Sequence, residues 1–365
     1  MSNTVGIMSG TSLDGVDYVL VSGGNRENSM SFLDKKSVVF PKKLRSSLLK
    51  AATGKLNSWQ LAELDFELGK FYSSSLTKIA KKNSWKFDLV GLHGQTIYHR
   101  GRHCTYQIGE PAYLAHDHKV PVVSDFRPMD IANGGEGAPL ATLFHVDVLA
   151  KLSDKKPFAF QNLGGIGNIT FVGKSKTMSF DTGPANMLLD QGITKASKGK
   201  KKLDSDGDFA SRGIPEIRLV KKWLQAPVFK KKPPKSLGRE NFGKSFFEKC
   251  WKDMAKLSAH DKLATLTELT AMSIAKAGID FLPELPKFMV LGGGGAKNHY
   301  LVSRIRYHLP HCEIVTSQSL NWPTDSIEGA AFALMAIRRM EERTNVIPET
   351  TGAKRASSLG RVLIP

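Results

Sequence analysis

Residues 6–17 read GIMSGTSLDGVD, an apolar run that turns through Ser9, Gly10, Thr11, Ser12, Leu13, Asp14 and Gly15 into a second apolar run carrying Asp17. Glycines let backbone amides approach a ligand, and hydroxyls add short donors, so the bend has the composition of a phosphate cradle. Two carboxylates would repel a phosphate unless a cation stood between them, which makes Asp14 and Asp17 candidate magnesium ligands. The same residues also suit an ordinary tight turn, since Asp14-Gly15 alone marks one. No Gly-Lys-Ser/Thr follows, so this is not a Walker A loop.

Other residues could do chemistry further along. Asp181 follows an apolar run and is followed by Thr182-Gly183-Pro184, so it is either a general base at a strand end or the N-cap of a helix. Gly164-Gly165-Ile166-Gly167-Asn168 and Gly292–Gly295 are two more glycine turns after apolar strands. With the turn at Gly10 they resemble three walls of one nucleotide cleft. No Gly-x-Gly-x-x-Gly leads into an N-terminal helix, which disfavours a dinucleotide fold. His93-Gly94-Gln95-Thr96 follows another strand; His93 is structural or catalytic, while Gln95 and Thr96 suit sugar hydroxyls or an amide. Asp125, Arg127 and Asp130 form a charged cluster before the glycine loop that holds Glu136 and Gly137. Glu328 sits early in a late helix, as a dipole partner or a substrate contact.

These residues need a scaffold. Val5–Met8 and Val16–Val21 read as paired strands, Phe87–Leu92 and Val120–Ser124 as short buried strands. Asn57 opens a helix with Gln60 placed for a capping box, and Leu61, Leu64, Leu68, Phe71, Leu76 and Ile79 follow at a helical period. The theme of strand, glycine turn and strand returns at Phe158–Val172. Met178–Phe180 then delivers Asp181, and Pro184 suits the first turn of a helix. Lys262–Phe281 and Ser326–Glu342 read as helices, Lys287–Leu291 as a strand. Two halves, each led by a glycine-turn hairpin, predict a duplicated α/β core around a cleft. The expected domains are residues 1–130, completed by about 350–365, and residues 131–349, with an insertion or lid at about 195–245.

The chain has 365 residues, 41% hydrophobic and 24% charged, which suits a globular protein with two substantial cores. Cys104, Cys250 and Cys312 have no close spacing, so neither a disulfide framework nor a zinc motif is expected. The opening residues lack a basic start and a long apolar run; no secretory leader or membrane span is expected, and the cytoplasm is the expected setting. The net charge of +18 raises nucleic-acid binding. Its clusters, Lys195–Lys202 and Lys230–Lys235, have no interleaved aromatics to stack bases. They read as solvated basic loops, and no nucleic acid is expected as a partner.

In MSGTSLDGVD (8–17), SDFR…GGEGAPL (124–140), HGQT (93–96), FDTGPAN (180–186), GRENF (238–242), GGGGAKN (292–298) and EGAAFA (328–333) the chain resembles the anhydro-N-acetylmuramic acid kinase family over its whole length. The resemblance implies the duplicated ribonuclease-H-like fold of actin, hexokinase and the sugar kinases, with ATP and magnesium in an interdomain cleft. It implies a first phosphate loop at Ser9–Asp17, a second at Gly164, Gly165 and Asn168 with Gly183 nearby, and Gly293, Gly294 and Asn298 beside the adenosine. The sugar would meet His93, Gln95, Thr96, Arg127, Asp130, Gly137, Asn186 and Glu328. Asp181 would activate the water that opens a 1,6-anhydro bridge while the freed oxygen takes the γ-phosphoryl group. The partner is then a small anhydro amino sugar, and the resemblance favours a homodimer. Members of the family carry further arginines after Asp-Phe-Arg, where this chain has Pro128-Met129, and Gln at the position of Glu136. These departures leave open another 1,6-anhydro sugar, such as levoglucosan. A non-catalytic sugar sensor is the competing class.

Overall fold

The computed structural model describes residues 3–10, 13–23 and 30–365; Thr11 and Ser12 lie outside the described residues. The chain divides into two compact units, residues 1–148 with 326–365, and residues 149–325.

In the first unit, β1 (Asn3–Ser9), β2 (Gly15–Ser22), β3 (Ser31–Val39), β4 (Leu89–Arg100), β5 (Cys104–Ile108) and β6 (Val122–Ser124) share a sheet with the C-terminal strand Arg361–Leu363. The order runs β3-β2-β1-β4-β6 and ends on the C-terminal strand. β1–β2 and β2–β3 are antiparallel, whereas β1–β4 and β4–β6 are parallel. In the second unit, β7 (Phe158–Leu163), β8 (Ile166–Val172), β9 (Thr177–Pro184), β10 (Phe288–Gly292) and β11 (Glu313–Thr316) run in the order β9-β8-β7-β10-β11. β7–β8 and β8–β9 are antiparallel, and β7–β10 and β10–β11 parallel. The pattern is the same in both units, so the expected duplicated, ribonuclease-H-like α/β fold is present.

Helix Ser58–Asn83 begins as its sequence requires. Asn57 Oδ1 accepts from the Gln60 amide at 2.9 Å, Gln60 Oε1 accepts from the Asn57 amide at 3.1 Å, and Leu64, Leu68, Leu76 and Ile79 are buried. β3 and β5 have no counterpart in the sequence reading. β3 carries SFLDKKSVV on an edge with no residue fully buried, so burial imposes no clean apolar pattern. β9 runs on through Pro184, and the next helix starts at Asn186. Pro184 therefore ends a strand, where its missing N–H costs nothing, and does not open a helix.

The unit boundaries fall at 148/149 and 325/326, not near 130 and 350. Helix Ile327–Met340 packs on β1, β2 and β4, and Leu140 and Leu143 share a core with its Phe332, Met335 and Ala336. The stretch read as an insertion or lid is core material: Val220, Trp223, Leu224, Phe229, Leu237 and Phe242 are buried in the second unit's main cluster. In the basic loops Lys200–Lys202 and Lys230–Lys232 are exposed as expected, but two lysines are not simply solvated. Lys195 pairs with Glu248 at 2.6 Å and lies over Phe247 and Trp251, and Lys235 is only 6% exposed. Among the described residues no helix is long and apolar enough to cross a membrane.

Helix Ile327–Met340 approaches the sheet backbone to backbone. A Cβ on Gly6 would collide with the carbonyl oxygen of Gly329, and one on Gly91 with that of Phe332. Gly6→Ala should therefore destabilise the protein at or above the upper end of the roughly 1–3 kcal/mol typical of overpacked cores, read as a lower urea midpoint. An unchanged midpoint would show that the contact can relax.

Candidate functional site

Each unit gathers its own polar cluster. In the first, β4 delivers His93 and the helix Phe126–Ala132 delivers Arg127. Arg127 donates from Nε (3.1 Å) and Nη2 (2.9 Å) to His93 Nε2, and from Nη1 to the Gly137 carbonyl at 2.9 Å. Because His93 Nε2 accepts, its proton sits on Nδ1, which lies 2.7 Å from the Gly94 carbonyl. Burial, with the Arg127 charge, holds His93 well below its usual range. Both ring nitrogens are engaged, so His93 aims Arg127 and has no nitrogen left for a ligand. Burial pulls Arg127 down to about 10, opposed by Glu328 and Asp130. Crowding by protein drives Glu328 above the ordinary glutamate range against the pull of Arg127, with Asp17 adding to the rise, yet Glu328 keeps an exposed surface.

Several expected sugar contacts turn out to be braces. Asp130 is fully buried; its Oδ2 accepts from the Gly137 amide and its Oδ1 from Thr351 Oγ1, both at 2.7 Å, which folds the glycine loop. Gln95 Nε2 donates to the Gly10 carbonyl at 3.3 Å, while its Oε1 is buried without a partner among the described residues. Thr96 Oγ1 accepts from Gln107 Nε2 at 3.2 Å.

The first hairpin is tied down in the same way. The Ser9 hydroxyl is buried against the Tyr72 hydroxyl (2.8 Å) and the Gly94 carbonyl (3.2 Å), so its side chain braces the turn and does not face a phosphate. Gly10 accepts from the amide of Leu13, which is buried at a φ of 57°. Gly15 is needed for close packing on Val38. Asp14 pairs with Arg45 at 2.7 Å; Asp17 accepts from Ser37 Oγ at 2.5 Å and meets Lys35 Nζ at 3.2 Å. Each carboxylate thus has its own cation, Asp14 in the bend before β2 and Asp17 within the strand. The expected magnesium pair is not built as a joint ligand set. Among the described residues no group of three or more His, Cys, Asp or Glu could hold a metal ion.

In the second unit, the tip of the second hairpin meets the glycine turn after β10. The Gly164 and Gly165 carbonyls accept the amides of Asn186, Ala185 and Met187, satisfying the N-terminus of helix Asn186–Ala196. Asn186 Nδ2 donates to the Leu163 carbonyl at 2.9 Å, and a Cβ on Gly295 would lie 2.7 Å from its Oδ1. Gly293 has a φ of 77° and donates to the Thr324 carbonyl at 2.7 Å; Gly294 is open, its nearest neighbour the Asn186 amide nitrogen, 3.6 Å from where a Cβ would lie. Asn298 caps helix His299–His308, its Oδ1 accepting from the Leu301 amide at 2.8 Å. The sequence reading missed one wall of this turn, residues 204–212. A Cβ on Gly207 would collide with Asn298 Oδ1, and Asp206 lies 4.0 Å from His299. Adjacent positive φ values at Asp206 and Gly207 mark the bend, but SDGD has the composition of any turn.

Asp181 lies inside β9, not at a helix N-cap; the cap position belongs to Ala185. It stands opposite Asn168 on β8, which in turn stands opposite Asn162 on β7, so the three share one face of the sheet. Its amide donates to the Lys235 carbonyl at 3.2 Å, and its Oδ2 accepts from the Leu237 amide at 2.6 Å. Oδ1 carries no hydrogen bond among the described residues. Burial drives the carboxyl up to about 6, against the Leu237 amide and the Lys235 charge, with Glu240 adding to the rise. Gly183 is required by packing on Ser273.

A half-buried strand carboxylate with one free oxygen is suited to taking a proton near neutral pH. The family model for anhydro-N-acetylmuramic acid kinase matches residues 2–365. The chain belongs to this family. A relative of that name from Crocosphaera subtropica is 39% identical over 99% of this chain and 98% of its own length; one from Bacillus cereus is 35% identical over 99% and 98%. Among solved structures, a ROK family glucokinase from Streptomyces griseus aligns over 92% of this chain and 99% of that one at 10% identity, with a TM-score of 0.41. Membership of the anhydro-N-acetylmuramic acid kinase family makes this chain a kinase. Glu136 pairs with Arg102 at 2.7 Å, tying the glycine loop to the β4–β5 turn.

If His93 serves to aim Arg127, its imidazole should stay neutral, with the proton on Nδ1, as pH falls through the ordinary histidine value of 6.5. Long-range 1H–15N spectra of the imidazole read this directly. A His93 signal titrating near the ordinary value of 6.5 would overturn the assignment.

Proposed function

We propose that this chain transfers the γ-phosphoryl group of ATP to the six-oxygen of anhydro-N-acetylmuramic acid while water opens the 1,6-anhydro bridge, giving N-acetylmuramic acid 6-phosphate and ADP in cell-wall recycling. Family membership supports the sugar and the phosphoryl transfer. The glycine turns at Gly10, Gly164–Gly165 and Gly293–Gly294 are the segments proposed to meet the nucleotide. Magnesium would accompany ATP, but Asp14 and Asp17 do not fit as its joint ligands, and no step is assigned to it. A cytoplasmic setting and a homodimer belong to the same proposal and rest on the family resemblance.

The observation that carries the mechanism is Asp181: within a strand, free of any capping role, with Oδ2 fixed by the Leu237 amide and Oδ1 unbonded. In the proposed step water gives its proton to Asp181 and its oxygen to the anomeric carbon. The bond from that carbon to the six-oxygen breaks, and the freed oxygen takes the phosphoryl group. Opening an acetal ordinarily needs an acid for the leaving oxygen as well as a base for water. Capture of that oxygen by phosphorus removes the need for the acid. Arg127, aimed by His93 and balanced by Glu328, is proposed to hold an anionic or hydroxyl group of the sugar.

The test is a transfer assay on anhydro-N-acetylmuramic acid, levoglucosan and N-acetylmuramic acid, with the product identified by mass and NMR. The first should be the preferred substrate and should yield the ring-opened 6-phosphate. The Asp181 carboxyl must be ionised to act, so turnover should fall as pH drops through about 6. Asp181→Asn should lower turnover by on the order of a hundredfold or more with little change in sugar or ATP binding. Near-normal turnover in that variant would leave the water without a base.

A further inference from the structure

Lys235 belongs to a run of lysines that reads as a solvated loop, but it is 6% exposed. Its ammonium lies 4.5 Å from the centre of the Phe281 ring and 5.8 Å from that of Phe180, two rings set edge to face 6.0 Å apart. Among the described residues it has no ion pair within 4.0 Å and no hydrogen bond from Nζ. A buried ammonium is costly unless something compensates it, and aromatic faces do so in part. Phe180 immediately precedes Asp181 on β9. Two residues on from Lys235, the Leu237 amide binds Asp181 Oδ2, and the Lys235 carbonyl takes the Asp181 amide. Residues 235–237 therefore hold the carboxylate from both sides of its α-carbon.

Resting on the reading of Asp181 as the base, we propose that Lys235 is its positioning residue: seated on Phe180 and Phe281, it anchors the segment that orients the carboxylate and supplies the positive charge that keeps it ionised. The local electrostatics agree. Burial pulls Lys235 down to about 8, and among the charges around it Asp181 opposes this most, followed by Asp280; Lys276 and Lys231 push it further down. Asp280 is shared with Lys276 at 2.7 Å. Around Asp181 the charged groups are Lys235, which favours its anion, and Glu240, which disfavours it. Glu240 lies on the short helix Arg239–Phe242, and Asn168, opposite Asp181, is neutral. A lysine and a glutamate thus set the carboxyl from opposite directions.

The experiment is the pH profile of kcat/KM for wild type, Lys235→Met, Lys235→Arg and Glu240→Gln. It is paired with a carboxyl 13C titration of Asp-labelled protein in which the Asp181 signal is identified by its loss in Asp181→Asn. Removing the ammonium should move the acid limb and the Asp181 titration to higher pH by about one unit, with activity recovering at higher pH. Lys235→Arg should restore the wild-type limb, and Glu240→Gln should move it the other way. A limb and a carboxyl titration unmoved in Lys235→Met and Glu240→Gln would reduce Lys235 to packing and overturn the proposal. If Lys235→Met fails to fold, Lys235→Gln takes its place: a neutral side chain there should move the limb and the carboxyl titration to higher pH, and an unmoved titration overturns the proposal. Normal turnover in Asp181→Asn would instead remove the base assignment, and the carboxyl titration would still judge whether Lys235 controls Asp181.

Discussion

The first unit depends on a contact that only glycine permits. Gly6 on β1 and Gly91 on β4 let helix Ile327–Met340 press its backbone onto the sheet, and Gly329 completes the approach from the helix side. That contact joins distant parts of the chain, Gly6 to Gly329 and Gly91 to Phe332, and makes the C-terminal segment part of the N-terminal unit. It also brings Glu328, in the first turn of that helix, to the charge of Arg127. Arg127 is aimed in turn by the imidazole of His93 on β4. A polar cluster on three separate elements is therefore assembled by one apolar, sterically demanding contact.

The second unit sets the environment of one strand carboxylate, Asp181, by opposing influences. Burial alone would leave Asp181 protonated; full exposure would leave it an ordinary acid with little affinity for a proton at neutral pH. The structure places it between these limits. One oxygen is fixed by a backbone amide, a neutral asparagine stands opposite, and charges of both signs stand in the surroundings. The donor of that amide bond, Leu237, lies two residues from Lys235, whose ammonium sits over the Phe180 and Phe281 rings.

Many of the polar residues in the motifs also shape the local backbone. Ser9, Gln95, Asp130, Asn186 and Asn298 each direct a side-chain group at a backbone group or a buried hydroxyl. Glycine-rich turns expose carbonyls and amides that need partners, and short polar side chains next to them are the nearest supply. Their recurrence beside glycines is therefore as much a demand of the turns as of any ligand.

The amino-acid sequence alone determined the two hairpin-led halves, the capped helix at Asn57 and the family. Each of these is written in local periodicity, turn chemistry or ordered motifs, which need no partner from elsewhere in the chain. It placed His93–Thr96 after a strand and Asp181 at a strand end, whereas both lie inside longer strands, β4 and β9. Edge strand β3 escaped notice because an edge imposes no alternation, and Pro184 misled because it suits the end of a strand as well as the start of a helix. Whether Asp181 caps a helix or waits in a strand, whether His93 binds or aims, and whether Lys235 is solvated or buried were decided only by the tertiary structure. Each answer rests on a partner dozens of residues away: Leu237 for Asp181, Arg127 for His93, Phe281 for Lys235. Residue type and spacing state what a side chain can do; the partner that folding brings to it decides which of those things it does.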